Sequence, residues 1–324
     1  MFSAGRTARR AASHPRLRAL NVLRDLPQVA DLIELCFHKS MDADGESYLR
    51  EMRRAASEPS WFRSAESASS VPLNGFVWEE NGKIVGNASL ISYRHDRKRI
   101  HMLANIAVHP DFRRRGIARA VTERAMEQAR QRGADELWLN VRDDNPDALD
   151  LYADLGFVER GRRVAWLSTE EPRPLPPSDG FAVLPRRPDF WPRQRAWLAR
   201  SYPDELAWYR AWDFKPLAPG LWNWLHLLFV DVNLRQWAAT RNGSLEAVLA
   251  WISNGTRREP LWLALGADSA PEAATRLLVH ARSELRGRRF VLEHPAGPAD
   301  ESIRAAGFIP QRTLVWMRAE GATK

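Results

Sequence analysis

The stretch that decides the fold is residues 105–157. It opens with Asn-Ile-Ala-Val-His-Pro-Asp-Phe (105–112) and continues through the basic turn Arg-Arg-Arg-Gly-Ile-Ala (113–118). Small and apolar residues then recur at helical spacing as far as Arg132, and Gly133 stands where a helix stop is expected. The pattern predicts a strand, a glycine turn and a long helix in succession.

The turn before this predicted helix suits an anion. A helix amino terminus presents backbone N–H groups that have no partner inside the helix, and its macrodipole adds partial positive charge there. Gly116 has no side chain, so a ligand can approach the backbone closely. Four arginines add full charges: Arg113, Arg114, Arg115 and Arg119. A phosphate or pyrophosphate is the ligand that fits such a turn, and a solvated basic helix start is the alternative.

Two familiar phosphate-binding motifs are excluded at this turn. It lacks the Gly-Lys-Ser/Thr ending of a P-loop, and it has one of the three glycines of the dinucleotide fingerprint. Arg-x-x-Gly-x-Ala after Ile-Ala-Val-His-Pro resembles the acetyl-CoA pyrophosphate loop of the GCN5-related N-acetyltransferase (GNAT) superfamily. Downstream, Leu-Trp-Leu-Asn-Val-Arg-Asp-Asp-Asn (137–145) and Ala-Leu-Asp-Leu-Tyr-Ala-Asp-Leu-Gly-Phe (148–157) are similar to that family's fifth strand and next helix.

The resemblance implies acetyl-CoA as co-substrate and no metal. In that family an amine attacks the acetyl thioester directly, without a covalent enzyme intermediate. The fourth strand would pair with the pantetheine arm, and the basic turn would hold the diphosphate. The residues that the resemblance assigns to the cofactor are Ile106, Ala107, Val108, Arg113, Arg114, Arg115, Gly116, Ile117, Ala118, Arg119, Asn145 and Tyr152.

Two of these residues carry a second interpretation. Tyr152 lies where the family places the general acid that protonates the leaving thiolate, and a phenol can donate at neutral pH. Its alternative role is packing beside Leu151 and Leu155. Asn145 matches the asparagine that contacts the CoA arm, but it also fits an N-cap for a helix that starts at Pro146. The cap and the cofactor contact are compatible.

The general base is the open point of this pattern. Several relatives, notably the ribosomal-protein N-terminal acetyltransferases, carry a glutamate in the fifth strand, where this chain has Asn140. His101 is the substitute that we select as catalytic, although a lone histidine is more often structural. His109, Glu79 and a water relay to a more distant carboxylate are the alternatives. Because Asn140 departs from the family pattern, the identity of the acceptor amine is less well determined than that of the cofactor.

Composition limits the class of protein. A chain of 324 residues is long enough for two domains, and no apolar run approaches the roughly 18 residues needed to cross a membrane. The single Cys36 excludes a disulfide or a zinc cluster and fits a reducing cytoplasm, which is the predicted location. The net charge of +8 favours polyanions, and CoA phosphates account for part of it. Residues 1–15 are basic and predict a disordered tail, with an organelle transit peptide as the alternative.

Residues 16–170 predict the catalytic domain. Asn81-Gly82 is a strong hairpin signal. The predicted elements are a strand at 17–23, a helix opened by Leu26-Pro27, a helix at 46–56, strands at 75–80 and 83–93, a charged turn at 94–99, a strand at 100–108 and a closing segment at 160–169. Strands come first, and helices then alternate with strands, which suits a mixed sheet.

The chain then repeats this order. Glu-Pro-Arg-Pro-Leu-Pro-Pro-Ser-Asp-Gly (171–180) predicts a semi-rigid linker. Residues 181–320 predict a second domain with elements at 181–185, 193–200, 205–212, 235–240, 245–253, 260–265, 272–285, 290–293 and 303–309. The predicted fold class is therefore α+β (α/β mixed sheet): two tandem GNAT-like domains, each a mixed central β-sheet flanked by helices.

The second copy lacks the cofactor signals of the first. The turn before its long helix, Gly-Ala-Asp-Ser-Ala-Pro-Glu (266–272), carries two acids and no arginine, so it would repel a pyrophosphate. Arg304 stands in the place of Tyr152. We expect a degenerate copy that keeps the fold. It is also rich in tryptophan: Trp191, Trp197, Trp208, Trp212, Trp222 and Trp224. Core packing is the favoured role of these rings, with Trp208 and Trp212 one turn apart on a helix, and an acceptor or partner surface is the alternative.

Two classes of function follow. The favoured one is an acetyl-CoA-dependent N-acetyltransferase that acts on a primary amine, either a small molecule or a peptide N-terminus. The other is a non-catalytic acyl-CoA-binding regulatory module. Nucleic-acid binding rests on charge alone, without a recognised motif, and is not favoured. The sequence leaves open the identity of the acceptor and the oligomeric state, for which a homodimer is one arrangement.

Overall fold

The computed structural model describes most of the chain as two compact units. The first unit takes residues up to Val141, Asn145–Glu159 and the residues from Met317, and the second takes Arg142–Asp144 and Arg160–Trp316. The described residues are 14–38, 41, 43–57, 72–169, 175, 180–210, 212–220, 233–253, 255 and 258–320. The predicted basic tail, apart from residues 14 and 15, lies outside them, as does the predicted linker apart from residues 175 and 180.

The first unit contains a mixed sheet with helices against it, as predicted. Its strands follow the order β1-β2-β3-β4-β5, antiparallel up to β4, and β5 runs parallel to β4. The elements are β1 (Leu17–Ala19), α1 (Val22–Phe37), α2 (Ala43–Ser57), β2 (Gly75–Glu80), β3 (Lys83–His95), β4 (Lys98–Val108), α3 (Ile117–Gln131), β5 (Glu136–Arg142) and α4 (Pro146–Asp154). A core of buried side chains joins α1 and α2 to the sheet, with Leu26, Met52 and Ala107 among its members.

The start of α1 differs from the prediction. The helix begins at Val22, ahead of Leu26-Pro27, and the preceding strand ends at Ala19. Asn21 is the physical reason, because its side chain accepts a hydrogen bond from the Arg24 N–H and caps the helix there. Pro27 lies inside the helix, so its missing N–H costs one hydrogen bond.

Tight turns join the antiparallel strands. Asn81 and Gly82 have φ of 50° and 77°, so the predicted hairpin is present with both central residues left-handed. The predicted charged turn at 94–99 is wrong in extent. Asp96 and Arg97 alone make it, with φ of 46° and 65°, and the flanking strands continue to either side. Asp tolerates the left-handed region better than most residues, which allows the shorter turn.

One irregularity in β4 matters for function. The β3–β4 register places Asn87 opposite Ala107 but Ser89 opposite Ala104, so β4 has an extra residue, and Asn105 there has φ of 53°. Such a bulge bends and twists its strand. Pairing of β4 with β5 is recorded only from residue 100 to Leu103, opposite Leu139. Beyond that point the described residues of the two parallel strands diverge.

The second unit repeats the order of strands and of the later helices, as predicted, but its described residues contain one helix ahead of the hairpin where the first unit has two. Its sheet follows the order β12-β6-β11-β10-β9-β8-β7. The elements are β6 (Phe157–Ser168), β7 (Phe181–Pro185), α5 (Trp191–Ser201), β8 (Leu234–Arg241), β9 (Ser244–Ile252), β10 (Arg258–Leu265), α6 (Pro271–Glu284), β11 (Arg289–Pro295), α7 (Asp300–Ala305) and β12 (Phe308–Ala319). Asn242 and Gly243, with φ of 52° and 81°, close the β8–β9 hairpin just as Asn81 and Gly82 close theirs.

The strand β6 has its contacts in the second unit. It pairs antiparallel with β11, and Val164 and Trp166 pack in one buried cluster with Phe290 and Leu292. The contact units therefore divide near residue 160, ahead of the segment 160–169 that was expected to close the first domain. The domain limits 16–170 and 181–320 stay predictions.

The predicted helix at 205–212 is wrong. Among the described residues of that range only a short 3-10 turn, Asp204–Leu206, forms, so no helix places Trp208 and Trp212 one turn apart. Trp208 is buried, with its ring 6.1 Å from that of Trp316, and the Trp212 ring lies 5.4 Å from the Tyr202 ring. These contacts agree with the packing role. Trp222 and Trp224 lie outside the described residues.

Candidate functional site

The amino terminus of α3 is open. Gly116 occupies the N-cap position with φ of 78°, and no side chain caps the helix. The first helical hydrogen bond runs from the Ala120 N–H to the Gly116 carbonyl, and no backbone partner is recorded among the described residues for the amides of 117–119. A side-chain carbon placed at Gly116 would meet no atom within 4 Å. Partial positive charge, free N–H groups and open space are the features that an anion site requires, and anion binding here stays a prediction.

Two arginines of the basic turn hold its own backbone. The Arg113 Nε donates to the Val108 carbonyl at 3.3 Å. The Arg115 guanidinium donates to the Asp111 carbonyl at 3.0 Å and stacks over the Phe112 ring at 4.9 Å. These contacts fix the course of the turn between β4 and α3, so that the helix amides face outward from a defined loop.

Two other arginines of the predicted loop reach α4. Arg114 lies 3.4 Å from Asp147, with both side chains at least 80% exposed, and Arg119 lies 2.8 Å from Asp154. Exposed pairs of this kind contribute little to stability. A dianionic phosphate can therefore replace either carboxylate at small cost, which leaves both guanidinium groups available to a ligand at the mouth of α3.

The edge of β4 that follows the bulge is partly accessible. Ile106 and Val108 are half-buried, whereas Ala107 points into the core beneath α1. The Val108 carbonyl also accepts from the Cys36 thiol at 3.3 Å. Because β5 has diverged, the backbone of this segment has no strand partner on that side within the described residues. An extended ligand that brings its own amides would complete the ladder.

Asn145 and Tyr152 lie on α4. The Asn145 side chain accepts from the Ala148 N–H at 3.3 Å, so the N-cap role is present, and its contact with CoA stays a prediction. Tyr152 is 6% exposed, with its ring packed edge-on against Phe157 at 6.2 Å. Burial raises the pKa of the Tyr152 phenol. Its hydroxyl makes no recorded hydrogen bond within the described part of the chain, so its proton is uncommitted.

His101 lies away from the diverging end of β4. Its Nδ1 is 3.0 Å from the Ser92 hydroxyl, and burial, followed by the charges of Arg132 and Arg99, lowers the pKa of the imidazole. His101 belongs to the section where β4 and β5 are still paired. At ~3.3 Å per residue it is about 16 Å along the strand from Ile106. Its role as a base stays a prediction.

The alternative bases have structural partners. The Glu79 carboxylate accepts from Arg18 at 2.7 Å and from Arg24 at 3.2 Å. The His109 Nδ1 accepts from the Asp111 N–H at 3.3 Å, which caps the short turn 110–112. Asn140 is the first residue of β5 after its last pair with β4, and its amide has no basic lone pair to offer an ammonium group. The open site thus offers an acid, Tyr152, more clearly than a base.

The corresponding site of the second copy is occupied by the protein itself. The Ala270 N–H, at the start of α6, donates to the Glu246 carboxylate at 2.9 Å. The β10 backbone keeps one register with β9 from Leu261 to Leu265, without a bulge, and the Leu263 N–H donates to the Tyr202 hydroxyl at 3.2 Å. An internal carboxylate and an internal phenol therefore fill the positions that a diphosphate and an amide-bearing arm would need.

The equivalents of Asn140 and Tyr152 also differ in that copy. Glu293 is the first residue of β11 after its last pair with β10, but Arg163 and Arg210 hold its carboxylate at 2.7 and 3.1 Å. Arg304, in the place of Tyr152, stacks over Trp166 at 5.2 Å. In the second copy two arginines hold the base-type residue Glu293, and Arg304 stands in the place of the predicted acid.

Four polar residues beside the bulge were missed by the sequence analysis: Tyr48, Asn87, Ser89 and Asn105. The available signal was in β3, where Asn87 and Ser89 interrupt an apolar strand at alternate positions and so share one face. Within the described residues there is no group of three or more metal-binding side chains, and no helix is both long and apolar enough to cross a bilayer.

Comparison with known proteins agrees with this geometry. Residues 28–157 match the Acetyltransferase (GNAT) family model. The ribosomal protein bS18-alanine N-acetyltransferase of Escherichia coli K12 is 42% identical over 71 residues, 22% of this chain and 48% of that protein. An uncharacterized N-acetyltransferase of Methanocaldococcus jannaschii is 39% identical over 98 residues, 28% of this chain and 42% of that protein. The chain thus spans about half the length of these curated relatives.

One solved structure matches nearly the whole chain. The crystal structure of a GCN5-related N-acetyltransferase from Sphaerobacter thermophilus is 18% identical, with a TM-score of 0.53 over 96% of this chain and 99% of that chain. At that identity the likeness shows the fold, which covers both halves. The first half of the chain thus matches the acetyltransferase (GNAT) family model and curated N-acetyltransferases, and the fold of the whole chain, with two GNAT-like halves in tandem, is similar to that of a GCN5-related N-acetyltransferase.

Proposed function

We propose that this protein is an acetyl-CoA-dependent N-acetyltransferase whose first unit moves an acetyl group to a primary amine by direct attack. The observation that carries the proposal is the open amino terminus of α3 next to an unpaired edge of β4. The second copy closes both features with its own side chains. On this proposal residues 16–170 form the catalytic domain, and residues 181–320 keep the fold without the reaction.

The residues of the first unit divide the work between binding and proton transfer. The amides of 117–119 and the exposed guanidinium groups of Arg114 and Arg119 would hold the diphosphate. The edge of β4 at Ile106 and Val108 would pair with the amide-bearing arm and orient the thioester. When bound, acetyl-CoA supplies an activated acetyl group. Tyr152 would donate its proton to the departing sulfur, since burial keeps the phenol protonated.

The acceptor is a primary amine, either on a small molecule or at a peptide N-terminus. The similar Escherichia coli protein is named for an alanine of ribosomal protein bS18, which supports an amine of that kind. We place the reaction in the cytoplasm, because the one thiol, Cys36, is free and cytoplasmic thiols stay reduced.

The experiment that tests the proposal combines binding with turnover. Calorimetric titration of the full chain with acetyl-CoA should give one site per chain, and free CoA should appear when amines are added. Binding without CoA release, across amino-acid amides, diamines and short peptides, would support the alternative of a non-catalytic acyl-CoA-binding module. Asn140 is the observation that favours that alternative. Absence of acetyl-CoA binding would overturn both.

A further inference from the structure

A connected group of uncharged polar side chains lies against the bulge of β4. The Asn105 Nδ2 donates to the Tyr48 hydroxyl at 2.6 Å, and the Asn87 Nδ2 donates to the Asn105 carbonyl at 2.7 Å and to the Ser89 hydroxyl at 3.1 Å. We refer to these four residues as the polar cluster. It joins α2, β3 and β4 at the level where β4 diverges from β5.

One atom of the polar cluster has no partner. The Asn87 Oδ1 is fully buried, and the structure records no hydrogen-bond donor for it. An unsatisfied buried acceptor destabilises the fold, so a fold that keeps one gains when a ligand supplies a donor. Ser89 is fully buried as well, whereas Asn105, Ala104 and Ile106 are half-buried, so solvent reaches the cluster only from the side of the bulge.

The carboxylates of α1 and β2 are committed elsewhere. Asp25 is buried and accepts from Arg18 and Arg24, and the same two arginines hold Glu79. Each of these acids therefore already has a full positive charge at hydrogen-bond distance. Neither is available to hold a second cation near the polar cluster.

The remaining acids of this wall whose side chains the structure describes are paired or exposed. Arg53 binds Asp31 and Glu34 of α1 at 2.7 and 2.5 Å, and Glu46 of α2 lies 3.8 Å from Arg50. Glu51 of α2 is exposed.

No described carboxylate donates to or accepts from Asn87, Ser89 or Asn105 in the recorded hydrogen bonds. On β5, the residue at the position expected for a general base is Asn140, and its side chain is neutral. Among the described residues, the other titratable groups near the bulge are Tyr48 within the cluster and, on the Val108 carbonyl, Cys36 and Arg113.

A neutral cluster selects the protonation state of its ligand. A carboxylate stabilises an ammonium ion and raises its pKa, whereas a buried site with only neutral acceptors disfavours the charged form. An uncharged amine still has N–H groups that need acceptors, and the Asn87 Oδ1 is an acceptor without a recorded donor, whereas the Ser89 hydroxyl already accepts from Asn87 and Asn105. Such a site needs no general base, because the amine enters without its extra proton.

We propose that the polar cluster is the acceptor subsite and that it takes a weakly basic primary amine, such as an α-amino group, as the free base. This inference rests on the proposed acetyl transfer. The amine lone pair forms the N–C bond, and the C–S bond breaks with its electron pair on sulfur. Tyr152 gives its proton to that sulfur, and the extra proton on nitrogen passes to water, from which Tyr152 is reprotonated.

The expected selectivity follows from the free-base fractions. At pH 7.5 about 30% of an α-amine with a pKa of about 7.8 is unprotonated, against about 0.1% of a lysine ε-amine with a pKa of about 10.4. If only the free base binds, kcat/KM should favour the α-amine by about 250-fold at that pH. The advantage should shrink roughly tenfold for each pH unit above about 8.5, because only the ε-amine then gains free base.

The test measures CoA release by the full chain with two amines between pH 6.5 and 9.5. Glycinamide presents only an α-amine, and Nα-acetyl-lysinamide presents only an ε-amine. For the first, kcat/KM should level off above about pH 8.5, and for the second it should rise tenfold per unit throughout. Asn87→Asp should reduce the preference at pH 7.5 at least tenfold, and Ser89→Ala should lower kcat/KM for glycinamide several-fold.

The matched control is Asn81→Asp, the same change at the exposed β2–β3 turn, which should leave both profiles unaltered. Melting temperature and acetyl-CoA Kd report whether each variant is folded. A flat wild-type profile for the lysine derivative, or folded Asn87 and Ser89 variants with wild-type preference and rates, would overturn the subsite while leaving acetyl transfer intact. Acetyl-CoA binding without turnover of either amine would overturn the proposed transfer, and this inference with it.

Discussion

Two long helices of this chain each follow the fourth strand of a GNAT-like half. They differ in whether a side chain of the protein binds the backbone N–H groups at the amino terminus. α3 begins after Gly116 with no side-chain cap, whereas α6 begins with the Ala270 N–H bound to the Glu246 carboxylate. Both termini need negative charge by the same physics. The first leaves that need for a ligand, and the second meets it within the fold.

The strand edges differ in the same sense. In the first unit the bulge at Asn105 leaves the end of β4 half-exposed and without a β5 partner, whereas in the second unit β10 runs regularly and Tyr202 accepts from the Leu263 N–H. Each difference on its own could be local. On the proposed function both differences remove a cofactor contact at corresponding places, so we infer that one half lost its cofactor site while its fold was preserved.

The largest expected effect comes from making the first helix terminus like the second. Gly116→Glu places a carboxylate at the mouth of α3, where it competes with the diphosphate and repels it. We expect the acetyl-CoA Kd to rise more than 100-fold, measured by calorimetry. Gly116→Asn is the control for backbone strain, since asparagine tolerates the left-handed φ of 78°, and it should bind within about fivefold of the wild type. An unchanged Kd in Gly116→Glu would remove the anion site from α3.

The next effect concerns the acid that the second copy lacks. Tyr152→Phe keeps the ring against Phe157 and removes only the donor, so kcat should fall about 100-fold. Acetyl-CoA affinity should change less than twofold. Timed assays of CoA release measure kcat, and calorimetry measures acetyl-CoA affinity separately. Equal losses in kcat and in acetyl-CoA affinity would make Tyr152 a binding residue. The presence of Arg304 at the corresponding position would then have no bearing on proton transfer.

A smaller effect should follow when the first unit receives the carboxylate of the second. Asn140→Glu introduces the residue found at Glu293, but in a strand where no arginine of the described residues is recorded on Asn140. We expect kcat/KM for an ε-amine at pH 7 to rise about tenfold, because a carboxylate can take the ammonium proton. The gain should vanish above about pH 9.5. Asn140→Gln, whose side chain has the length of glutamate but no charge, should show no such pH-dependent gain.

How much of this was predictable depends on the range of the interactions. The helix after Gly116, the hairpin at Asn81-Gly82 and the Asn145 cap follow from neighbours in sequence, and all three are present. The bulge at Asn105 depends on register with β3, and periodicity in β4 alone does not show it. The cap of α6 comes from Glu246, 24 residues away. The polar cluster was missed because its residues come from three elements that are distant in sequence.

The smallest expected effect tests whether the second helix terminus is closed for stability or could still bind. Glu246→Ala removes the acceptor of the Ala270 N–H, and loss of such a cap costs about 1 kcal/mol. Urea unfolding should show that loss, while Glu272→Ala, which breaks an i,i+4 pair with the mostly covered Arg276, should cost about 0.5 kcal/mol. Acetyl-CoA stoichiometry should stay at one per chain in both variants, because Tyr202 still occupies the Leu263 amide and no arginine stands in the turn before α6. A second site appearing in Glu246→Ala would mean that one carboxylate alone had silenced the copy.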